Sequence, residues 1–170
     1  MPLVDTLLRL ADEPSLYEPK WSDQIISEVN RTLSTRFRCT KRQLAYRESE
    51  LRRNFPEAWV EGYEDLIVAM TNHPKDRHVL AAAVRCNAEI IVTHNEKDFQ
   101  STALEPYSII AMGPSVFLRH LYDFRPDIVI KTLREQAASI NQPVGYVLDR
   151  LSINAPGFVS FLRSKRFSES

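Results

Sequence analysis

Apolar residues recur at helical spacing along much of the chain, and short, mainly apolar runs occur in two places. The helical spacing is clear near the N-terminus, where Leu3 to Ala11 alternate with charged residues before Pro14. The two apolar runs, residues 90–92 and 107–111, have the length and composition of short buried strands. Helices that alternate with such strands predict an α/β fold with a mostly parallel sheet.

Helix start signals divide the rest of the first 121 residues. Ser22 and Thr40 are good N-caps, and Pro114 suits the first turn of a helix. The predicted helices after the first are residues 23–33, 41–53, 63–70, 76–87 and 115–121, with 58–60 as a short strand or extended link.

After Tyr122 the pattern becomes purely helical. Apolar positions predict three helices, near residues 127–139, 143–151 and 156–162. The chain therefore divides into a domain of residues 1–121 and a helical C-terminal extension of residues 122–170. We expect the extension to pack onto the domain or onto a second subunit.

Charge is balanced overall but not locally. The 22 basic and 22 acidic residues give a formal net charge of zero, so no global field attracts nucleic acid. Between residues 31 and 53, only Glu48 and Glu50 oppose the basic side chains. This stretch is either a solvated helix face or a surface that binds a phosphate backbone.

Cysteine use and hydropathy suggest a cytoplasmic protein. Cys39 and Cys86 have no metal-binding spacing, and free thiols are the default in a reducing compartment. The N-terminus lacks the pattern of a signal peptide, and no apolar run approaches the thickness of a bilayer, so we expect no membrane partner.

Candidate chemistry lies at the start of one predicted helix and at the end of one predicted strand. Asp76 begins the helix, and Thr93, Asn95 and Asp98 follow the strand at residues 90–92. Because open α/β folds bind ligands at the carboxyl ends of their strands, these oxygens could hold a hard divalent cation. The alternative for Asp76 is helix capping. The four histidines, His73, His78, His94 and His120, are interpreted as edge, surface or packing residues.

Three segments resemble PIN-domain proteins, the fold of VapC-type toxin ribonucleases. They are residues 21–29, the helix that begins at Asp76, and residues 92–99, and the resemblance covers roughly residues 2–118. It implies a three-layer fold with Mg²⁺ or Mn²⁺ at the site. It implies catalytic roles for Glu28, Asp76 and Asp98, metal binding by these residues and Asn95, and substrate binding by Thr93, Asn95 and Arg31. Without the resemblance, Glu28 would be a surface acid paired with Arg31.

The function implied by the resemblance is metal-dependent RNA hydrolysis. A divalent cation neutralises a phosphate and lowers the pKa of a bound water, which then attacks the phosphorus in line. The implied partners are an RNA substrate, the cognate antitoxin of a type II toxin–antitoxin pair, and a second copy of the chain in a homodimer.

The chain departs from the family pattern at its start. Family members open with a strand that carries an Asp, whereas residues 6–11 here resemble the helix that follows that strand, and Asp5 imitates the missing acid only superficially. A misplaced start codon, a degenerate relic and a strand supplied by another molecule all remain open. The first strand is thus expected to be missing, which would leave either an impaired nuclease or a catalytically inactive module that binds an antitoxin or RNA. A purely structural α/β domain is the third alternative.

Overall fold

The computed structural model describes residues 2–165, which form a helix-rich α/β structure. Its α-helices are α1 (Pro2–Ala11), α2 (Asp23–Phe37), α3 (Lys41–Asn54), α4 (Arg77–Arg85), α5 (Ser101–Leu104), α6 (Pro114–Phe124), α7 (Pro126–Ser139), α8 (Val144–Leu151) and α9 (Pro156–Ser164), and its strands are β1 (Ile90–Val92) and β2 (Ile110–Met112).

The two strands form a small parallel sheet. Ile110 N–H donates to the Glu89 carbonyl and Thr93 N–H donates to the Met112 carbonyl, at 3.0 Å each. The prediction of β1 is confirmed. The prediction of a strand at residues 107–111 is wrong at its start, because residues 105–107 form a 3₁₀ turn that ends at Ser108 with a positive φ of 57°.

Two helix predictions also need correction. Helix α2 continues to Phe37, beyond the predicted end at Leu33. Its last turn is helical although the apolar positions used for the prediction stop at Leu33. Residues 63–70 form a 3₁₀ segment, Glu64–Ala69, rather than an α-helix. The three C-terminal helices agree with the predicted positions to within about two residues at each end, the usual scatter of helix boundaries.

The described residues form two compact units. One contains residues 2–18, 92–95 and 112–165, in which α1 and α6–α9 pack through leucines buried completely, such as Leu10, Leu118 and Leu148. The other contains residues 19–91 and 96–111 and has its own core around Leu80, Ala81 and Tyr63. The boundary at residue 121 stays a prediction, as do the PIN-like three-layer arrangement and the missing first strand.

Within residues 2–165, no helix combines the length and the apolar character that crossing a membrane requires.

Candidate metal centre

Backbone hydrogen bonds bring the loop before α4 next to the turn after β1. His73 N–H donates to the Asp98 carbonyl at 3.1 Å, and Asp76 N–H donates to the His73 carbonyl at 2.9 Å. Pro74 starts the 3₁₀ turn Pro74–Asp76, which leads directly into α4. Two acidic residues that are 22 positions apart in the sequence therefore meet at one place.

Three side chains at this place could ligate one ion. His73, Asp76 and Asp98 each offer one ligand atom, and the three atoms lie within 4.8 Å of one another. Ligands of a single cation stand about 2.0–2.6 Å from it, so atoms spaced in this way need only small adjustments to share one. His73 is exposed, Asp76 is half-buried and Asp98 is buried, so the group is accessible from one side.

Lys75 places its ammonium group against the carboxylates. Its Nζ lies 2.8 Å from Asp98 Oδ2 and 3.8 Å from Asp76 Oδ2. The hydrogen bond from Lys75 holds the pKa of Asp98 below its ordinary value. Burial raises the pKa of Asp76; Lys75 partly offsets that rise, and the neighbouring Asp98 adds to it.

Glu28 reaches the same helix through a histidine. Glu28 Oε1 lies 3.5 Å from Nε2 of His78, which is only 4% exposed and stands two residues after Asp76. The alternative interpretation, a surface pair of Glu28 with Arg31, does not occur in the part of the chain that the structure describes. Glu28 thus contacts a residue of α4, while its role beside Asp76 and Asp98 stays a prediction.

Helix capping does not explain Asp76. The residue occupies the N-cap position of α4, but its side chain makes no capping hydrogen bond. Ser22 and Thr40, by contrast, accept from the backbone N–H three residues on, as capping residues do. The carboxylate of Asp76 is thus available for another partner.

Polar atoms without a hydrogen bond concentrate in the same segment. Among residues 2–165, six buried side-chain atoms lack such a partner, and four of them belong to Asn72, Asp76 and His78. Buried polar groups are normally satisfied, and groups that are not often mark a site that takes an ion or other ligand. Asp76 Oδ2 is one of the four atoms, so the donor set fits a divalent cation.

The remaining predicted site residues have different positions. Thr93 and Asn95 belong to the other compact unit, where Asn95 N–H donates to Thr93 Oγ1 at 3.0 Å. Arg31 is exposed on α2. Their roles in binding metal or substrate stay predictions.

Sequence reasoning missed three residues of the site. The sequence predicts edge, surface or packing roles for His73 and His78, and no motif points to Lys75. His78 is indeed buried, but it also contacts Glu28. The available signal was proximity, because all three lie within three residues of Asp76.

Helices α2 and α3 form an antiparallel hairpin that carries the basic stretch. The Arg52 guanidinium pairs with the Asp23 carboxylate at 2.6 Å, and Asn30 Nδ2 donates to Glu48 Oε2 at 3.4 Å. These contacts hold the two helices together near the open end of the hairpin. The sequence between Glu28 and Glu48 contains no acidic residue. Within residues 2–165, its five exposed basic side chains form no ion pair: Arg31, Arg36, Arg38, Lys41 and Arg42. We call these five the hairpin bases.

A curated relative supports the resemblance over part of the chain. Over 61 residues the chain is 62% identical to "Putative ribonuclease VapC50" of Mycobacterium tuberculosis (strain ATCC 25618 / H37Rv). The match covers 36% of this chain and 36% of the relative, so it spans about a third of the relative's length. No family model matches the chain. No solved structure matches it either.

The match is close where it exists. An identity of 62% over 61 residues means that this part of the chain shares its descent with a protein named as a ribonuclease. That name describes the relative, and the activity of this chain must be argued from its own residues.

Proposed function

We propose that the chain is a PIN-type, metal-dependent endoribonuclease, the toxin of a type II toxin–antitoxin pair. The observation that carries the proposal is the convergence of His73, Asp76 and Asp98, whose ligand atoms lie within 4.8 Å of one another. The resemblance names two of these three residues, Asp76 and Asp98, as metal ligands. The partial match to a protein named as a VapC ribonuclease supports the same function.

The chemistry follows from the charges at the site. Asp76 and Asp98 would hold Mg²⁺ or Mn²⁺. Such an ion supplies an activated water and neutralises charge on the scissile phosphate. Glu28, held near α4 by its contact with His78, would orient a water or a phosphate oxygen through hydrogen bonds.

The hairpin bases support RNA as the substrate. Four of them lie on α2 and α3, Arg38 lies in the connection between these helices, and α2 also carries Glu28. Because each of these exposed cations could neutralise one phosphate, an RNA strand could run from the carboxylates along the hairpin. This interpretation favours the phosphate-binding alternative for the basic stretch over the solvated face, with Arg31 as the base nearest to Glu28 along the helix.

The biological setting follows from the same resemblance. A toxin ribonuclease works in the cytoplasm and is held inactive by a cognate antitoxin, and toxins of this type form homodimers. The two free cysteines, Cys39 and Cys86, agree with a reducing compartment.

The decisive experiment is RNA cleavage by the purified chain. We expect cleavage of a single-stranded RNA with Mg²⁺ or Mn²⁺, no cleavage after chelation, and loss of about a hundredfold or more in rate for Glu28→Gln and Asp98→Asn. An Asp149→Asn variant is the control, because Asp149 pairs with Arg163 on the C-terminal helices. Cleavage that persists in the site variants would disprove the assignment.

The second candidate function is a catalytically inactive PIN-like module that binds an antitoxin or RNA. It is favoured by Lys75, whose ammonium contacts Asp98 where a metal would be expected. In the same experiment this function predicts RNA or antitoxin binding with no cleavage at any metal concentration.

A further inference from the structure

The cation nearest to the paired carboxylates is part of the chain itself. Lys75 Nζ donates to Asp98 Oδ2 at 2.8 Å and stands 3.8 Å from Asp76 Oδ2. Lys75 belongs to the same 3₁₀ turn as Asp76, so its backbone is fixed beside the carboxylates. The ammonium therefore contacts the two acids that were assigned to a metal.

This contact differs from an ordinary surface ion pair. The Asp98 side chain is only 9% exposed and that of Asp76 only 20%, whereas the Lys75 side chain remains 58% exposed. Two partly buried carboxylates so close together repel each other unless a positive charge lies between them or one takes up a proton. The lysine supplies that charge and can also leave, because its stem is accessible to solvent.

We infer that Lys75 acts as an internal cation that occupies the Asp76–Asp98 carboxylate site and that a divalent metal must displace to bind. The inference rests on the proposed function, since it concerns the same carboxylates. It goes further by naming a residue of this chain that sets the metal affinity.

The physical reason is competition between like charges. A metal ion that shares Asp76 and Asp98 would lie within a few ångströms of the present ammonium position, where two cations repel strongly. Metal binding thus includes the loss of the Lys75–Asp98 hydrogen bond and movement of the lysine into solvent. Removing the lysine charge should strengthen metal binding about three- to tenfold, the range expected for one partly exposed ion pair and the added repulsion.

The test is metal binding without RNA. The full chain, stripped with chelator, is titrated with Mn²⁺, and bound ion is measured by electron paramagnetic resonance. Lys75→Met removes the charge but keeps an unbranched side chain, and we expect its affinity for Mn²⁺ to rise. Lys75→Arg keeps the charge, and we expect an affinity close to that of the unchanged chain.

The matched control is Lys97→Met. Lys97 is exposed, directly precedes Asp98 and forms no ion pair in the described part of the chain, so its loss removes the same formal charge without the contact. Lys75→Gln is a second neutral variant should the first fold poorly, and the metal-induced rise in Tm gives an independent readout of binding.

The outcomes separate this inference from the proposed function. Stronger binding in Lys75→Met, with Lys97→Met unchanged, supports displacement. Equal Mn²⁺ affinities in all variants overturn the inference and leave the metal site intact. An equal rise in Mn²⁺ affinity for Lys75→Met and Lys97→Met overturns it as well. Absence of Mn²⁺ binding in every variant overturns both the inference and the metal-dependent function.

Discussion

The two compact units differ in how their acidic and basic side chains are distributed. In the unit that contains the C-terminal helices, several ion pairs join residues two to four positions apart: Asp5–Arg9, Arg119–Asp123, Arg125–Asp127 and Lys131–Glu135. The other unit also has local pairs, Arg52–Glu48 and Arg53–Glu50, but there Asp76 and Asp98 gather at one place and the hairpin bases stay without acidic partners among residues 2–165.

The difference separates charges that keep a surface soluble from charges available to a ligand. A local pair on an exposed helix contributes little and binds nothing else. Acids held together against their repulsion need a cation, and bases without acids suit a phosphate backbone. Segregation of charge therefore locates the candidate function in the unit of residues 19–91 and 96–111.

The largest expected difference concerns divalent metal binding. Asp76→Asn should weaken binding of Mn²⁺ at least about tenfold, because it removes a charged ligand from the candidate site. Asp123→Asn, in the locally paired unit, should leave the affinity unchanged. Isothermal titration calorimetry measures both, and equal effects would remove the distinction between the two sets of acids.

The second difference concerns the bases. A triple variant, Arg36→Gln, Arg38→Gln and Lys41→Gln, should lower the slope of log affinity against log salt for single-stranded RNA by about two, since each phosphate contact contributes roughly 0.7. The control removes three paired bases: Arg119→Gln, Arg125→Gln and Lys131→Gln. Both are measured by fluorescence anisotropy in an Asp76→Asn background, which prevents cleavage.

A result in which the two triple variants behave alike would identify the hairpin as a solvated face. Loss of antitoxin binding with unchanged RNA binding would assign the hairpin bases to the protein partner instead.

A smaller effect should reveal His73 as a nitrogen ligand. His73→Ala should weaken Co²⁺ binding about tenfold and Mg²⁺ binding about twofold or less, because imidazole favours transition metals over magnesium. His120→Ala serves as the matched control, since His120 is also exposed. Equal losses for the two metals would contradict ligation by the imidazole, and no loss for either metal would show that His73 acts on the site only through its backbone.

The smallest effect is on stability, and its sign should differ between the regions. Burial raises the pKa of Asp76, so its charged form is disfavoured in the fold, and Asp76→Asn should raise Tm by about 1–3 °C. The hydrogen bond from Arg125 lowers the pKa of Asp127 to about 2, so Asp127→Asn should lower Tm by about 1 °C.

The pH dependence checks the sign for Asp127. Its folded pKa lies below that of the unfolded chain, so its contribution is complete at neutral pH and shrinks as the pH falls from about 4 towards about 2. Differential scanning calorimetry of Asp127→Asn should therefore show a Tm deficit at pH 7 that narrows at pH 3. A deficit that grows at low pH would contradict the assignment.

Much of the fold could be predicted because it depends on local rules. Ser22 and Thr40 cap their helices as expected, and β1 and the C-terminal helices lie where the apolar pattern places them. The errors lie where local signals are weak. The last turn of α2 has no apolar periodicity, and the segment of residues 105–107 forms a 3₁₀ turn before β2.

The sequence by itself determined the alternation of helices and short strands, the candidates Asp76 and Asp98, and the basic stretch, because spacing and residue type are written along the chain, whereas Glu28 was indicated only by the family resemblance. Only the tertiary structure decided which of these groups meet. Backbone bonds between the loop at His73 and the turn at Asp98 join distant segments, and they bring His73 and Lys75 to the carboxylates. No local pattern encodes such a contact, since it depends on how separated segments pack against a shared core.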